Sequence, residues 1–105
     1  MKLESDFKKK VKKDLKKIPK CWFFINESAL SIRGLPDIVG VINGRFFALE
    51  LKRSGKELSH PRTVLQNYVK EKIESCGGIA EFTYPENWDE IFGKLASIQP
   101  VDNSL

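Results

Sequence analysis

Asp37, Glu50 and Lys52 stand in or beside two strongly apolar runs, within "PDIVGVINGRFFALELK" (36–52). Buried charges cost stability unless they are paired or put to use. Two carboxylates beside an ammonium can form a salt bridge at a strand mouth. They can also hold a divalent cation and act on an anionic substrate. Opposed carboxylates repel and raise each other's pKa unless a cation lies between them. Clustered oxygen donors suit Mg2+ or Mn2+, and the lack of nearby His or Cys argues against zinc. Lys52 would then orient a water or stabilise negative charge developing on a phosphate. The sequence holds no Ser/His/Asp or Cys/His arrangement, phosphate-cradling glycine loop or CxxC pair. The single histidine, His60, precedes Pro61 at a helix start and reads as a solvated first-turn residue.

The turn between the two runs decides whether the three residues meet. Asn43-Gly44 is the strongest short hairpin signal, because a type I′ turn needs positive φ at both positions. A two-residue loop sets Ile42 against Arg45 and therefore Asp37 against Glu50. Directly opposed residues share a face with Cβ atoms about 4.5–5.5 Å apart. Lys52, two residues past Glu50, projects from that face too. A bulge at Gly40 would shift this register by one residue. Both faces of the hairpin are apolar, with Val39, Val41, Phe46 and Ala48 on one and Ile38, Ile42, Phe47, Leu49 and Leu51 on the other. The expectation is a central ribbon covered on both sides.

The flanking elements follow from periodicity and punctuation. Leu3, Phe7, Val11, Leu15 and Ile18 form one apolar stripe, predicting a helix over 3–18 that stops before Pro19. "CWFFI" (21–25) reads as a strand and 26–34 as a polar loop. A loop over 53–58 leads to a helix capped at Ser59 and ended by Gly77-Gly78. Its inward stripe is Leu65, Val69, Ile73 and Cys76. "IAEFT" (79–83) reads as a strand. Pro85 to about Ser97 reads as a helix anchored by Trp88, Ile91, Phe92 and Leu95. The order α-β-β-β-α-β-α implies an α/β fold, a central mixed sheet flanked by helices.

At 105 residues, with 41% hydrophobic and 30% charged, the chain suits one globular domain rather than a disordered segment. That domain spans 1–98, with a flexible tail at 99–105. No apolar run reaches the roughly 18 residues of a membrane span, and no secretory signal follows the lysine-rich start. Cys21 and Cys76 lack metal-ligand spacing and read as reduced, buried thiols. The net charge of +4 is uneven: residues 1–20 carry +6 and the rest −2. Such an arm fits a polyanionic partner or simply a solvated helix face.

"PD" at 36–37, an apolar strand, a turn and "ELK" at 50–52 resemble the PD-(D/E)XK nuclease signature. The wider "RGLPDIVGV…GRFFALELKR…LS…Q" is similar to the VRR-NUC branch, found in phage proteins and in larger repair proteins, and to archaeal Holliday junction resolvases. The resemblance covers nearly the whole chain and implies a restriction-endonuclease-like core. It implies Asp37 and Glu50 as ligands of Mg2+ or Mn2+, with the Leu51 carbonyl as a third and Glu4 holding metal-bound water. Asp6 is a lesser candidate for that last role. Lys52 would be the catalytic lysine, and Gln66 would contact the active-site face. DNA contacts would come from Lys8, Lys9, Lys12, Lys13 and Lys16, and from Ser28, Arg33 and Arg53. The implied activity is metal-dependent DNA endonuclease cleavage, selective for branched DNA such as a Holliday junction. A two-fold homodimer would supply two active sites, with the aromatic strand at 21–25 as its motive. The implied compartment is the cytoplasm of a bacterial or phage-infected cell, with no nucleotide cofactor. The alternatives are a sequence-specific endonuclease of restriction or homing type, and a non-catalytic DNA-binding module on the same fold.

Overall fold

The computed structural model describes residues 3–26, 34–56 and 63–100, with side chains from residue 6 and, in the last segment, from residue 64. The elements run α1 (Leu3–Leu15), β1 (Cys21–Ile25), β2 (Ile38–Ile42), β3 (Arg45–Leu51), α2 (Thr63–Ser75), β4 (Ile79–Thr83) and α3 (Trp88–Ala96). This is an α/β fold of three helices on a four-stranded mixed sheet, in the expected order. The strands lie in the order β1-β2-β3-β4, antiparallel except for the parallel β3–β4 pair. Among the described residues no helix is long and apolar enough to cross a membrane.

The hairpin turn is as its sequence requires: Asn43 and Gly44 have φ of 52° and 86°. The Asn43 side-chain amide also donates to the Ile98 carbonyl at 2.8 Å, tying the turn to the chain beyond α3. Ile42 pairs with Arg45 and Ile38 with Leu49, with no bulge at Gly40. Gly40 serves instead for close approach of β1. A Cβ there would lie 2.2 Å from the Trp22 carbonyl oxygen and 2.7 Å from Phe23 Cα.

One face of the sheet carries the core. Ile38, Ile42, Phe47, Leu49 and Leu51 pack with Phe7, Val11 and Leu15 of α1 and Trp88, Ile91 and Leu95 of α3, all buried. Helix α1 ends three residues before the predicted boundary. Its last turn tightens as Lys17 and Ile18 donate to carbonyls only three residues back, an adjustment suited to the approaching Pro19. Ile18 still reaches the core. Asp14, buried within this layer, accepts a 2.8 Å hydrogen bond from Trp88 Nε1 and pairs with Lys10 and Lys17. Helix α3 begins at Trp88 rather than near Pro85. Asn87 closes that corner through bonds with Thr83 Oγ1, the Tyr84 amide and the Phe82 carbonyl.

The second face departs from the expectation of a doubly covered ribbon. Helix α2 lies over β3 and β4, with Ile73 against Gly78 and Phe46 and its other end at Lys52. Over β1 and β2 the face carries Trp22 and Phe24, 64% and 51% exposed, beside half-buried Val39 and Val41. Four strands are wider than one helix, so among the described elements α2 leaves this strip uncovered. The stripe assigned to α2 is also only half right: Val69 and Ile73 are half-buried, but Leu65 and Cys76 are exposed. Cys76 is thus not a buried thiol; Cys21 is half-buried, and both are free.

Candidate active site

The hairpin register carries the geometry. The β2–β3 register ends at the Ile38–Leu49 pair; continued one residue, it brings Asp37, just before β2, opposite Glu50, which pairs on its other side with Phe82 of β4. Asp37, Glu50 and Phe82 form one row across the second face. Asp37 is fixed from two sides: its carbonyl accepts from the Asn26 amide at 2.7 Å, and its Oδ2 accepts from the Leu51 amide at 2.8 Å. One carboxylate oxygen is thereby held toward β3. Leu51 buries its side chain in the core, so it can offer the site only its backbone.

Lys52 is placed by three contacts. Its amide donates to the Thr83 carbonyl at 2.8 Å, extending the parallel pairing with β4. Its ammonium donates to Gln66 Oε1 at 2.6 Å and sits 5.7 Å from the centre of the Phe82 ring. The residue is 9% exposed. A buried ammonium is costly without such partners, and a cation near an aromatic face gains further stabilisation. Gln66 is therefore brought to Lys52 by α2. Phe82 and Thr83 are contributors that the motif does not name. Their signal lay in the parallel crossover, which sets β4 beside β3.

The remaining expectations divide. Glu4 falls in the first turn of α1, with its side chain outside the described residues; Ser28 and Arg33 lie outside them entirely. Asp6 is half-buried and shares a groove with Phe7, Lys10, Arg53, Pro85 and Glu86. Arg53 is exposed there, one residue past Lys52. Lys9, Lys13 and Lys16 are exposed, and Lys8 and Lys12 half-buried. Because α1 packs on the core face, its lysines belong to the opposite layer from Asp37 and Glu50. Lys10, absent from the expected DNA contacts, is the α1 lysine that lines the groove with Arg53.

Among the described residues no three His, Cys, Asp or Glu side chains come together. What the row offers a cation is a hard oxygen set, the Asp37 and Glu50 carboxylates and nearby backbone. That donor chemistry fits Mg2+ or Mn2+. Compared with known proteins, the chain matches no family model, no curated protein and no solved structure.

Proposed function

We propose that the chain is a metal-dependent DNA endonuclease built on a PD-(D/E)XK core. The observation that carries this reading is the unbulged register, which sets Asp37 opposite Glu50 with buried Lys52 on the same face. A structural salt bridge needs only one of the two carboxylates, whereas two of them beside a lysine suit a held divalent cation and the charge neutralisation that phosphodiester hydrolysis needs.

Asp37 and Glu50 would hold Mg2+ or Mn2+, with the Leu51 carbonyl and Glu4 as further candidates. When bound, the ion supplies charge neutralisation and a more acidic water. Lys52, anchored by Gln66, donates a hydrogen bond to the attacking water or to a non-bridging phosphate oxygen. Water adds to phosphorus, one P–O ester bond breaks, and the released alkoxide takes up a proton. Gln66 and Phe82 act as positioning residues, because they hold the ammonium rather than the substrate. DNA runs across the sheet end at Lys52 and over its edge at Arg53, which shares a groove with Lys10. The lysine-rich helix extends that track along the backbone, giving binding that weakens steeply with salt.

The test incubates the chain with linear duplex, flap and four-way junction DNA in Mg2+, Mn2+ or EDTA. Cleavage should require the metal and fall at least a hundredfold in Glu50→Ala and in Lys52→Ala, while DNA binding persists. Cleavage surviving in both variants refutes this site assignment. Absence of cleavage on all substrates refutes the nuclease reading.

A further inference from the structure

Helix α3 opens on Asn87, a residue type that ordinarily caps a helix by accepting from the amides of its first turn. Here the side chain makes no such bond. It turns back to the end of β4 and uses both of its polar atoms there. Its Oδ1 accepts from Thr83 Oγ1 and from the Tyr84 amide, each at 2.9 Å, and its Nδ2 donates to the Phe82 carbonyl at 3.2 Å. The Asn87 amide adds a 3.0 Å bond to the Tyr84 carbonyl. Helix capping therefore does not account for this side chain.

The segment that Asn87 ties, residues 82–84, is the one on which Lys52 rests. Phe82 sets its ring centre 5.7 Å from the ammonium, and the Thr83 carbonyl accepts from the Lys52 amide at 2.8 Å. The Tyr84 ring backs the loop that leaves Lys52, since a Cβ on Gly55 would lie 3.3 Å from it. The β3–β4 register ends at the Leu51–Thr83 pair, and β4 lies at the edge of the described sheet. The end of an edge strand has no ladder on its outer side, so it opens readily unless other bonds hold it. Asn87 supplies those bonds. Thr83 is fully buried and gives its hydroxyl proton to Asn87, which makes the tie an interior one rather than a surface contact that water replaces. Gln66 is a separate tie, because it grips only the ammonium, from α2.

We infer that Asn87 is a positioning residue for Lys52: its side chain locks residues 82–84 and through them sets where the ammonium stands relative to Asp37 and Glu50. The catalytic consequence rests on the proposed function. Asn87 acts through β4, so its loss slows the chemical step without weakening DNA binding. A reacting group displaced by about 1 Å costs on the order of a hundredfold in rate.

Asn87→Asp keeps the size and the Oδ1 acceptor but sets a carboxylate oxygen against the Phe82 carbonyl. Thr83→Val removes one of the three bonds and leaves the Thr83 backbone in place, so it serves if Asn87→Asp does not fold. Ile42→Val, a core truncation at the turn end of the hairpin, controls for a general loss of stability. Selective 13C-lysine labelling, without metal or DNA, reads the Lys52 ε-methylene, whose resonance the Phe82 ring displaces; Phe82→Leu gives its undisplaced position. In Asn87→Asp the resonance should move at least halfway to that position, in Thr83→Val part of the way, and in Ile42→Val not at all. On a DNA that the wild type cuts, kcat should fall about tenfold or more in Asn87→Asp, with KM changed less than about twofold. A lysine resonance that stays in place in Asn87→Asp and Thr83→Val, an equal displacement in Ile42→Val, or a loss confined to KM overturns the inference. If the wild type cuts no DNA, the nuclease reading falls, and the lysine spectrum alone decides whether Asn87 positions Lys52.

Discussion

Asp14→Asn isolates the polar centre of the helical layer. Asp14 Oδ2 accepts from Trp88 Nε1 at 2.8 Å, and Lys10 and Lys17 reach the carboxylate at 3.0 and 3.3 Å. The Trp88 hydrogen bond, aided by the two lysines and opposed by burial, lowers the pKa from 3.8 to about 2. At 1.36 kcal/mol for each tenfold change in proton affinity, that lowering corresponds to about 2.4 kcal/mol of stability. The two lysines are 59% and 63% exposed, so solvent screening reduces this to about 1–2 kcal/mol. The folded-state pKa is depressed, so the contribution is complete above the unfolded value near 4. It falls as pH drops toward 2, with about half remaining at pH 3. An asparagine keeps an oxygen acceptor for Trp88 but loses both ion pairs and the titration. Urea unfolding should therefore find Asp14→Asn about 1–2 kcal/mol less stable than wild type at pH 7. The difference should narrow steadily between pH 4 and pH 2. Equal stability at pH 7, or a gap that does not change with pH, refutes the reasoning.

Two further tests address the sheet and the site without assuming an activity. Gly40→Ala forces a Cβ into backbone atoms of β1 rather than a flexible side chain; it should cost about 3 kcal/mol by urea unfolding, and a loss below about 0.5 kcal/mol would show that β1 can simply move away. Gln66→Leu leaves the buried Lys52 ammonium without its 2.6 Å acceptor and should destabilise by about 1–3 kcal/mol. Lys52→Met should recover most of that loss in the double variant, so strictly additive effects would argue against the contact.

How much of this was legible depended on whether the determinant was local. The hairpin register followed from Asn43-Gly44 alone, and with it the opposition of Asp37 and Glu50. The stripe through Phe7, Val11, Leu15 and Ile18 was equally local, since one helix face must be apolar to pack. Helix α2 misled because its apolar residues do not all face the sheet. Ile73 packs toward Phe46 and Gly78 and Leu65 lies over Gly34, whereas Val64 and Tyr68 are exposed, and periodicity alone cannot divide them. Gly40 left room for a bulge in the sequence reading because the reason for it, a β1 so close that a Cβ would lie 2.2 Å from the Trp22 carbonyl oxygen, involves a different strand. The Asp14–Trp88 bond joins residues 74 positions apart, and nothing near Asp14 announces it. Phe82 and Thr83 became part of the site only through the β3–β4 pairing.

The way Lys52 is held also bears on when the site comes into being. A two-residue hairpin closes in about 1–10 μs, so Asp37 and Glu50 can meet as soon as residues 37–50 are free to fold. Lys52 depends on partners met later along the chain: Gln66 on α2, then Phe82 and Thr83 on β4. That pairing is parallel and closes across a helical crossover, which makes it slow relative to local contacts. During synthesis the paired acids thus precede the fixed ammonium, and the site is complete only once the chain has folded through residue 83.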